Sequence, residues 1–412
     1  MDENMRWLVA ILAISMIVAI GARRLRLPYT VGLVLFGISL ALTKVDLGLH
    51  LTHDLIFDLI LPPLLFEAAI SLSWRELVFD ALPLLTLAGV GTIIAAGVIA
   101  VAMAIFLGWP LSSAFVFGAL IAATDPVAII AMFKDNKLNG RLRLLVESES
   151  LFNDGVAAVL FVVALTLVDG GNIDQGLGGT ILSFTRIVCG GIVIGLMCGG
   201  LMIAVSFRTE EHLIEAALTT IVAYGAFLAA EYFHVSGVLA TVSAGLLIGN
   251  MGLLQEKDKS FLSSKGREFV HGFWEFAAFL ANSVVFLLIG VDVASISFAD
   301  YGLFFVIETI LIVLIARAVT VYPLSAIFLM TSCKITLREQ HVLWWGGLRG
   351  ALALALALSL PESLPYRDDI VVATFGVVAF SILVQGLTMP ILLRKLGSVS
   401  YTHLTLPTKR IV

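Results

Sequence analysis

Asp154 and its neighbours are the residues of this sequence best suited to chemistry. The segment Glu-Ser-Leu-Phe-Asn-Asp-Gly at 149–155 opens a long apolar run. Residues four apart share a helix face, so Ser150 lies beside Asp154, and Glu149 lies beside Asn153 on the adjacent face. A carboxylate, an amide and a hydroxyl within one turn supply the oxygen ligands that a hard cation prefers. Because the Asp154 carboxylate can also take up a proton, cation and proton would compete for one group.

Other ionisable side chains also lie within apolar segments of the chain. A charge in the middle of a bilayer costs at least about 2.5 kcal/mol even on the lenient insertion scale, so each such residue needs a function or a partner. A purely structural hydrogen-bonded cluster around Asp154 is the less favoured alternative, because such clusters rarely contain two carboxylates in one span. The further intramembrane ionisable residues are Glu67, Asp125, Arg317 and Arg349.

The segment Ala-Ala-Thr-Asp-Pro-Val at 122–127 contains a proline within an apolar run. Pro126 lacks an N–H and disturbs the preceding turn, which frees carbonyl groups to ligate a cation where they line a cavity. Thr124 is a candidate ligand through its hydroxyl or its carbonyl, and Asp125 is expected to neutralise the positive ends of half-helices. A simple proline kink stabilised by Thr124 and Asp125 is the alternative.

Two buried arginines also need partners. Arg349 lies in Gly-Gly-Leu-Arg-Gly-Ala at 346–351 and is expected to balance a carboxylate or the negative end of a helix. Arg317 is the preferred partner of Glu149, with Arg349 as the alternative, because a second unpaired carboxylate beside Asp154 would be costly to bury.

Glu67 lies in the segment Leu-Pro-Pro-Leu-Leu-Phe-Glu-Ala-Ala at 61–69. It is a candidate for an additional cation ligand or for a residue that lines a cytoplasmic funnel. A carboxylate near the membrane interface that pairs with Arg75 is the alternative, and the two interpretations are nearly equal on the residues alone.

The composition requires a membrane-embedded scaffold for these residues. Hydrophobic residues make up 59% of the 412 residues and charged residues 13%, whereas soluble domains contain about 25% charged residues. Runs of about 20 apolar residues, each able to cross the hydrocarbon core, recur along the chain. An all-α integral membrane protein in contact with lipids is predicted. No nucleic-acid patch, metal-ligand spacing or phosphate-binding loop is present, so we expect no nucleic-acid partner, cofactor or enzymatic activity.

The apolar runs predict thirteen transmembrane helices. The odd number suits two inverted six-helix repeats joined by the seventh span, with the fifth and twelfth spans interrupted at corresponding places. Interrupted helices in matching positions indicate an ion site near the middle of the membrane. The predicted spans are 6–22, 28–43, 55–72, 83–107, 111–133, 143–168, 180–206, 213–233, 235–251, 269–291, 301–330, 341–360 and 370–393.

Basic residues are concentrated in alternate connections between these spans. The connections on one side contain Arg23, Arg24, Arg26, Arg75, Lys134, Lys137, Arg141, Arg143, Arg208, Lys257, Lys259, Lys265, Arg267, Lys334, Arg338, Arg394 and Lys395. Those on the other side contain only Lys44 and Arg367. Because basic connections stay in the cytoplasm, we predict an external N-terminus and a cytoplasmic C-terminus.

One transmembrane domain is predicted over residues 1–397. Residues 398–412 change character, since they are neither an apolar helix nor a charged tail. They are interpreted as a separate, foreign-looking segment to which no function is assigned.

Four motifs resemble those of the monovalent cation/proton antiporter superfamily, and specifically those of the NhaP-type sodium/proton exchangers. The resemblance covers about residues 5–397. The motifs are Ala-Thr-Asp-Pro-Val at 123–127, Glu-Ser-Leu-Phe-Asn-Asp-Gly at 149–155, Ala-Arg-Ala-Val at 316–319 and Gly-Gly-Leu-Arg-Gly-Ala at 346–351.

The resemblance implies a homodimer in which a core domain moves like an elevator against a nearly fixed dimerisation domain. It implies that Asp154 binds and releases both cation and proton and that Asn153 marks the electroneutral branch. It further implies that Na⁺ is bound by Asp154, Ser150, Thr124 and Glu67, and that Glu149 and Arg317 form a stabilising ion pair.

Electroneutral exchange of Na⁺ or Li⁺ for H⁺ across the cell membrane, in the service of pH homeostasis, is therefore the expected function. With an asparagine at position 153, one titrating carboxylate carries either ion, so the loaded core has the same charge in both directions. A K⁺/H⁺ antiporter of the same fold is the first alternative. A gated cation channel and an intramembrane hydrolase are less favoured, because no selectivity ring and no catalytic dyad is evident.

Overall fold

A computed structural model describes residues 2–24, 27–43, 51–127, 129–130, 133, 140–168, 176–207, 211–255, 260–296 and 298–396. Within these residues the chain is helical and contains no β-strand, so the predicted all-α class is confirmed. The predicted tail 398–412 lies outside the described residues. So do seven of the basic residues used to predict the topology: Arg26, Lys44, Lys134, Lys137, Arg208, Lys257 and Lys259.

In chain order the helices are α1 (Asp2–Arg24), α2 (Tyr29–Leu42), α3 (a π-helical turn Leu55–Ile60 followed by Leu61–Ile70), α4 (Trp74–Phe79), α5 (Ala81–Phe106), α6 (Leu111–Ala122), α7 (Arg141–Val168), α8 (Gly176–Ser206), α9 (His212–Tyr232), α10 (Gly237–Leu253), α11 (Ser264–Ser295), α12 (Phe298–Tyr301), α13 (Leu303–Ala326), α14 (Leu337–Trp345), α15 (Ala351–Leu358) and α16 (Arg367–Lys395).

Seven of these helices are long and apolar enough to cross a membrane by themselves, namely α5, α7, α8, α9, α11, α13 and α16. Shorter apolar helices are α2, α6, α10 and the part of α1 from Leu12 to Ala22. The protein is therefore a multi-pass membrane protein. Together these helices correspond to the predicted spans except the third and the twelfth, and the total of thirteen stays a prediction.

Local capping explains why two helices begin earlier than predicted. α11 begins at Ser264 because the Ser263 hydroxyl accepts a hydrogen bond from the Gly266 N–H at 3.0 Å. α14 begins at Leu337 because Thr336 and Glu339 form a capping box, in which each side chain bonds the backbone N–H of the other residue. Polar caps lie outside the apolar runs, so hydropathy alone places these helix starts too late.

The helices form two groups, each packed mainly within itself. The first group contains α1, α2, α3 and α8–α11, and the second contains α5–α7 and α13–α16. In the first group α2 and α11 cross at Gly37 and Gly290, where a Cβ on either glycine would overlap the backbone of the other helix. Small residues permit this close approach of helix backbones, as is common in membrane bundles.

Two segments of the second group interrupt their helices and meet each other. α6 ends at Ala122, and residues 123–126, which we call the first break, are not helical. Residues 346–350, the second break, separate α14 from α15. The Asp125 N–H donates a hydrogen bond to the Leu348 carbonyl at 2.8 Å, which joins the two breaks. The interruptions predicted for the fifth and twelfth spans are therefore present, and they cross.

Candidate cation and proton site

A cavity of about 850 Å³ lies between the two groups of helices. One wall is formed by the first group, through the start of α2 and parts of α3 and α11. The opposite wall is formed by the second group, through the first break, α7, α15 and α16. A cavity with walls from two separately packed groups can change its access when one group moves against the other.

Four of the predicted site residues line this cavity: Glu67, Thr124, Asp125 and Asp154. The Asp154 side chain is half-buried on α7, and within the described residues its carboxylate makes no hydrogen bond. The half-buried Glu67 reaches the cavity from α3, in the other group of helices. Carboxylate oxygens from both groups therefore face one space that is large enough for a hydrated cation.

Asp125 is held at the amino-terminal ends of two half-helices. Its Oδ1 accepts a hydrogen bond from the Val127 N–H at 2.9 Å, where helical structure resumes after Pro126. Its other oxygen lies so close to Gly350, directly before α15, that a Cβ at Gly350 would overlap it. A carboxylate in this place offsets the positive partial charge of both helix ends.

Ser150 and Asn153 lie behind the first break and not on the wall of the large cavity. The Ser150 hydroxyl donates to the Thr124 carbonyl, and the Thr124 hydroxyl donates to Ser150 Oγ at 3.3 Å. Asn153 Nδ2 donates to the Ala122 carbonyl at 3.1 Å and to Thr124 Oγ1 at 3.2 Å. These bonds replace those that the interrupted helix cannot make, and they fix the position of Thr124 in the first break. Ser150 therefore contacts Thr124, which lines the cavity, and does not line the cavity itself.

The structure pairs Glu149 with Arg317, the preferred partner on sequence grounds. The two side chains form a bidentate ion pair, with Arg317 Nη1 at 2.8 Å and Nη2 at 2.9 Å from the two Glu149 oxygens. Nη2 also donates to the Leu343 carbonyl at 3.1 Å. Glu149 is 3% exposed and Arg317 is 7% exposed, so each charge needs the other to be tolerated there.

Arg349 lies at the carboxyl-terminal end of α6. Its Nη1 donates to the carbonyls of Ala122 and Ala123 at 3.2 and 3.1 Å. These carbonyls carry the negative partial charge of the helix end, which the guanidinium offsets.

Several residues that line the cavity were not predicted from the sequence. Arg143, Glu147, Glu275, Asn282 and Arg394 all contribute to its lining. Of these, Arg143 and Arg394 contribute to the sequence analysis only through the predicted topology. Asn282 gave a usable signal, because it is a buried amide inside the apolar helix α11.

A family model described as "Sodium/hydrogen exchanger, transmembrane" matches residues 9–395 of the chain. The chain belongs to this family. It is 41% identical over 404 residues to the Na(+)/H(+) antiporter ApNhaP of Aphanothece halophytica, covering 96% of this chain and 75% of that protein. It is 35% identical over 406 residues to the Na(+)/H(+) antiporter NhaH of Halobacillus dabanensis, covering 95% and 98%. The predicted resemblance to NhaP-type exchangers is confirmed.

A solved structure shows the same fold. The sodium proton antiporter MjNhaP1 from Methanocaldococcus jannaschii aligns with a TM-score of 0.75 over 96% of this chain and 99% of that chain. Sequence identity in this alignment is 20%. The helices of this chain are therefore arranged as in the MjNhaP1 fold.

Proposed function

We propose that this protein exchanges a monovalent cation, Na⁺ or Li⁺, for a proton across the cell membrane, and that both ions compete for Asp154. The observation that carries the proposal is the Asp154 carboxylate on the wall of the cavity between the two helix groups. Thr124, and in this state Glu67 of the opposite wall, would complete the cation site with oxygen atoms. The names of the relatives, Na(+)/H(+) antiporters, support this substrate pair.

Exchange of one cation for one proton follows from the charges around Asp154. Asn153 is neutral, Glu149 is paired with Arg317, and Asp125 is held against two helix ends. Asp154 is then the group whose charge changes when a cation or a proton binds, and either ion leaves the same net charge. The transport cycle is therefore electroneutral, and an imposed membrane voltage leaves its rate unchanged.

Alternating access would arise from an elevator movement of the second helix group, which contains both breaks, against the first group. The cavity reaches Pro28, Arg143 and Arg394, which the distribution of basic residues assigns to the cytoplasmic side. The structure then corresponds to the inward-facing state, with an external N-terminus and a cytoplasmic C-terminus. A homodimer built on the first group would hold that group still.

Transport by proteoliposomes tests this proposal. A pH gradient is imposed, and its collapse is followed by fluorescence dequenching after addition of Na⁺, Li⁺, K⁺ or choline. Na⁺ and Li⁺ are expected to collapse the gradient and choline is not, and a response to K⁺ alone would assign the protein to K⁺/H⁺ exchange. Asp154→Asn is expected to abolish every cation response. Activity that survives in this variant would overturn the assignment of Asp154.

A further inference from the structure

Two polar side chains of α16 hold the second break. α16 contains a π-helical turn at Ser381–Gln385, and both of these residues are buried. Ser381 Oγ accepts a hydrogen bond from the Arg349 N–H at 3.1 Å and donates to the Arg349 carbonyl at 3.1 Å or to the Val378 carbonyl at 2.9 Å. Gln385 Nε2 donates to the Trp345 carbonyl, at the end of α14, at 3.0 Å.

The Arg349 backbone depends on Ser381 because it lies between two helices. Residues 347–350 are not helical, so the Arg349 N–H has no partner one turn earlier in the chain. Within the described residues Ser381 is the group that accepts from it. A buried backbone N–H without a partner is strongly unfavourable, so loss of this hydroxyl would force the backbone to move or to admit water.

The first break is held in the same way, by hydrogen bonds from a hydroxyl and an amide side chain of a neighbouring helix. There a hydroxyl and an amide of α7, Ser150 and Asn153, bind the backbone and hydroxyl of the interrupted chain. The two arrangements meet at one atom, since Asn153 Nδ2 and Arg349 Nη1 both donate to the Ala122 carbonyl. A shift of Arg349 would therefore be transmitted to the carbonyl beside the proposed cation site.

We infer that Ser381 is a positioning residue for cation binding. It fixes the backbone of Arg349, and thereby keeps the guanidinium on the Ala122 and Ala123 carbonyls beside Thr124. Without the hydroxyl, the first break and the Arg349 charge are displaced relative to Asp154, so the cation is bound more weakly. The movement of the helix groups needs no contact from Ser381, so maximal turnover is preserved. This inference rests on the proposed exchange at Asp154.

Transport kinetics of matched serine variants test the inference. In proteoliposomes, Ser381→Ala is expected to raise the apparent KM for Na⁺ about ten-fold, with the maximal rate per inserted protein within about two-fold of the wild type. Ser381→Thr, which keeps the hydroxyl, is expected to restore the KM. The control is Ser113→Ala on α6, because Ser113 is fully buried and its hydroxyl bonds none of the residues that the structure describes. This control is expected to leave both parameters unchanged.

The outcomes separate this inference from the proposed function. A wild-type protein without Na⁺-dependent proton movement contradicts the proposed function and with it the inference. If the wild type is active, an unchanged KM in Ser381→Ala overturns the inference alone. A fall in maximal rate with an unchanged KM overturns it as well, because that result indicates a structural role only. If Ser381→Ala does not accumulate in the membrane, Ser381→Cys keeps the volume with a weak hydrogen-bonding group, and the same KM criterion applies.

Discussion

Both breaks interrupt a helix and leave backbone groups without helical hydrogen bonds, but they contain side chains of opposite charge. The first break contains Asp125, whose carboxylate lies at the amino-terminal ends of two half-helices. The second break contains Arg349, whose guanidinium lies at the carboxyl-terminal end of α6. Because each charge offsets helix ends of the opposite sign, the crossing is nearly balanced by itself. Asp154, on the neighbouring helix, is then left available for an ion from the cavity.

The breaks also differ in what surrounds them. Thr124 and Asp125 of the first break present oxygen-bearing side chains to the large cavity, whereas the second break lines it with Gly350, which has no side chain. The second break is held by Ser381 and Gln385. We infer a division of function, in which the first break provides ligands and the second break positions them. Variants that affect the two breaks unequally test this division.

The largest effect is expected from Arg317, which binds Glu149 of α7 and the Leu343 carbonyl of α14. It thereby links the helix that holds the first break to the helix that precedes the second break. Arg317→Ala leaves the Glu149 charge buried without its partner, which should destabilise the protein by about 3–5 kcal/mol. Thermal unfolding of the purified protein in detergent measures this loss. The double variant Glu149→Leu with Arg317→Leu removes both charges and should recover most of the stability. A single variant as stable as the wild type would contradict the structural role of this pair.

A smaller effect is expected where the breaks touch at Gly350. In Gly350→Ala the added Cβ overlaps the Asp125 carboxylate, and such overpacking costs about 1–3 kcal/mol. Displacement of Asp125 should lower the rate of Na⁺-dependent proton movement in proteoliposomes. Gly97→Ala on α5 is the matched control, because a Cβ there meets open space. Equal rates in the two variants would show that close contact between the breaks is not required.

The sequence was sufficient to predict which ionisable residues belong to the site and where the helices are interrupted. Both features are unfavourable in a regular apolar helix and therefore stand out. Asp154, Glu149 and Arg317 stand out by the cost of a buried charge, and Pro126 stands out by its missing N–H. The direction in which Ser150 and Asn153 point was not predictable. Helical spacing indicates which side chains share a face, but not which neighbouring segment that face contacts.

Ser381 and Gln385 were missed for a related reason. They are four residues apart on α16, which is the spacing that drew attention to Ser150 and Asp154. Neither residue carries a charge, so their presence in an apolar helix has a low cost that can be met by bonds within the helix. Only the position of Arg349 in a non-helical segment, seen in the structure, shows what they hold.

Proton release on cation binding tests the central claim most directly. Purified protein in a weakly buffered detergent solution, at a pH where the Asp154 carboxyl is protonated, is mixed with NaCl or with choline chloride. Competition for one carboxylate predicts release of about one proton per subunit with Na⁺, none with choline, and none from Asp154→Asn with either salt. Sodium-dependent release that persists in Asp154→Asn, or Na⁺ binding by the wild type without release of a proton, would contradict the account.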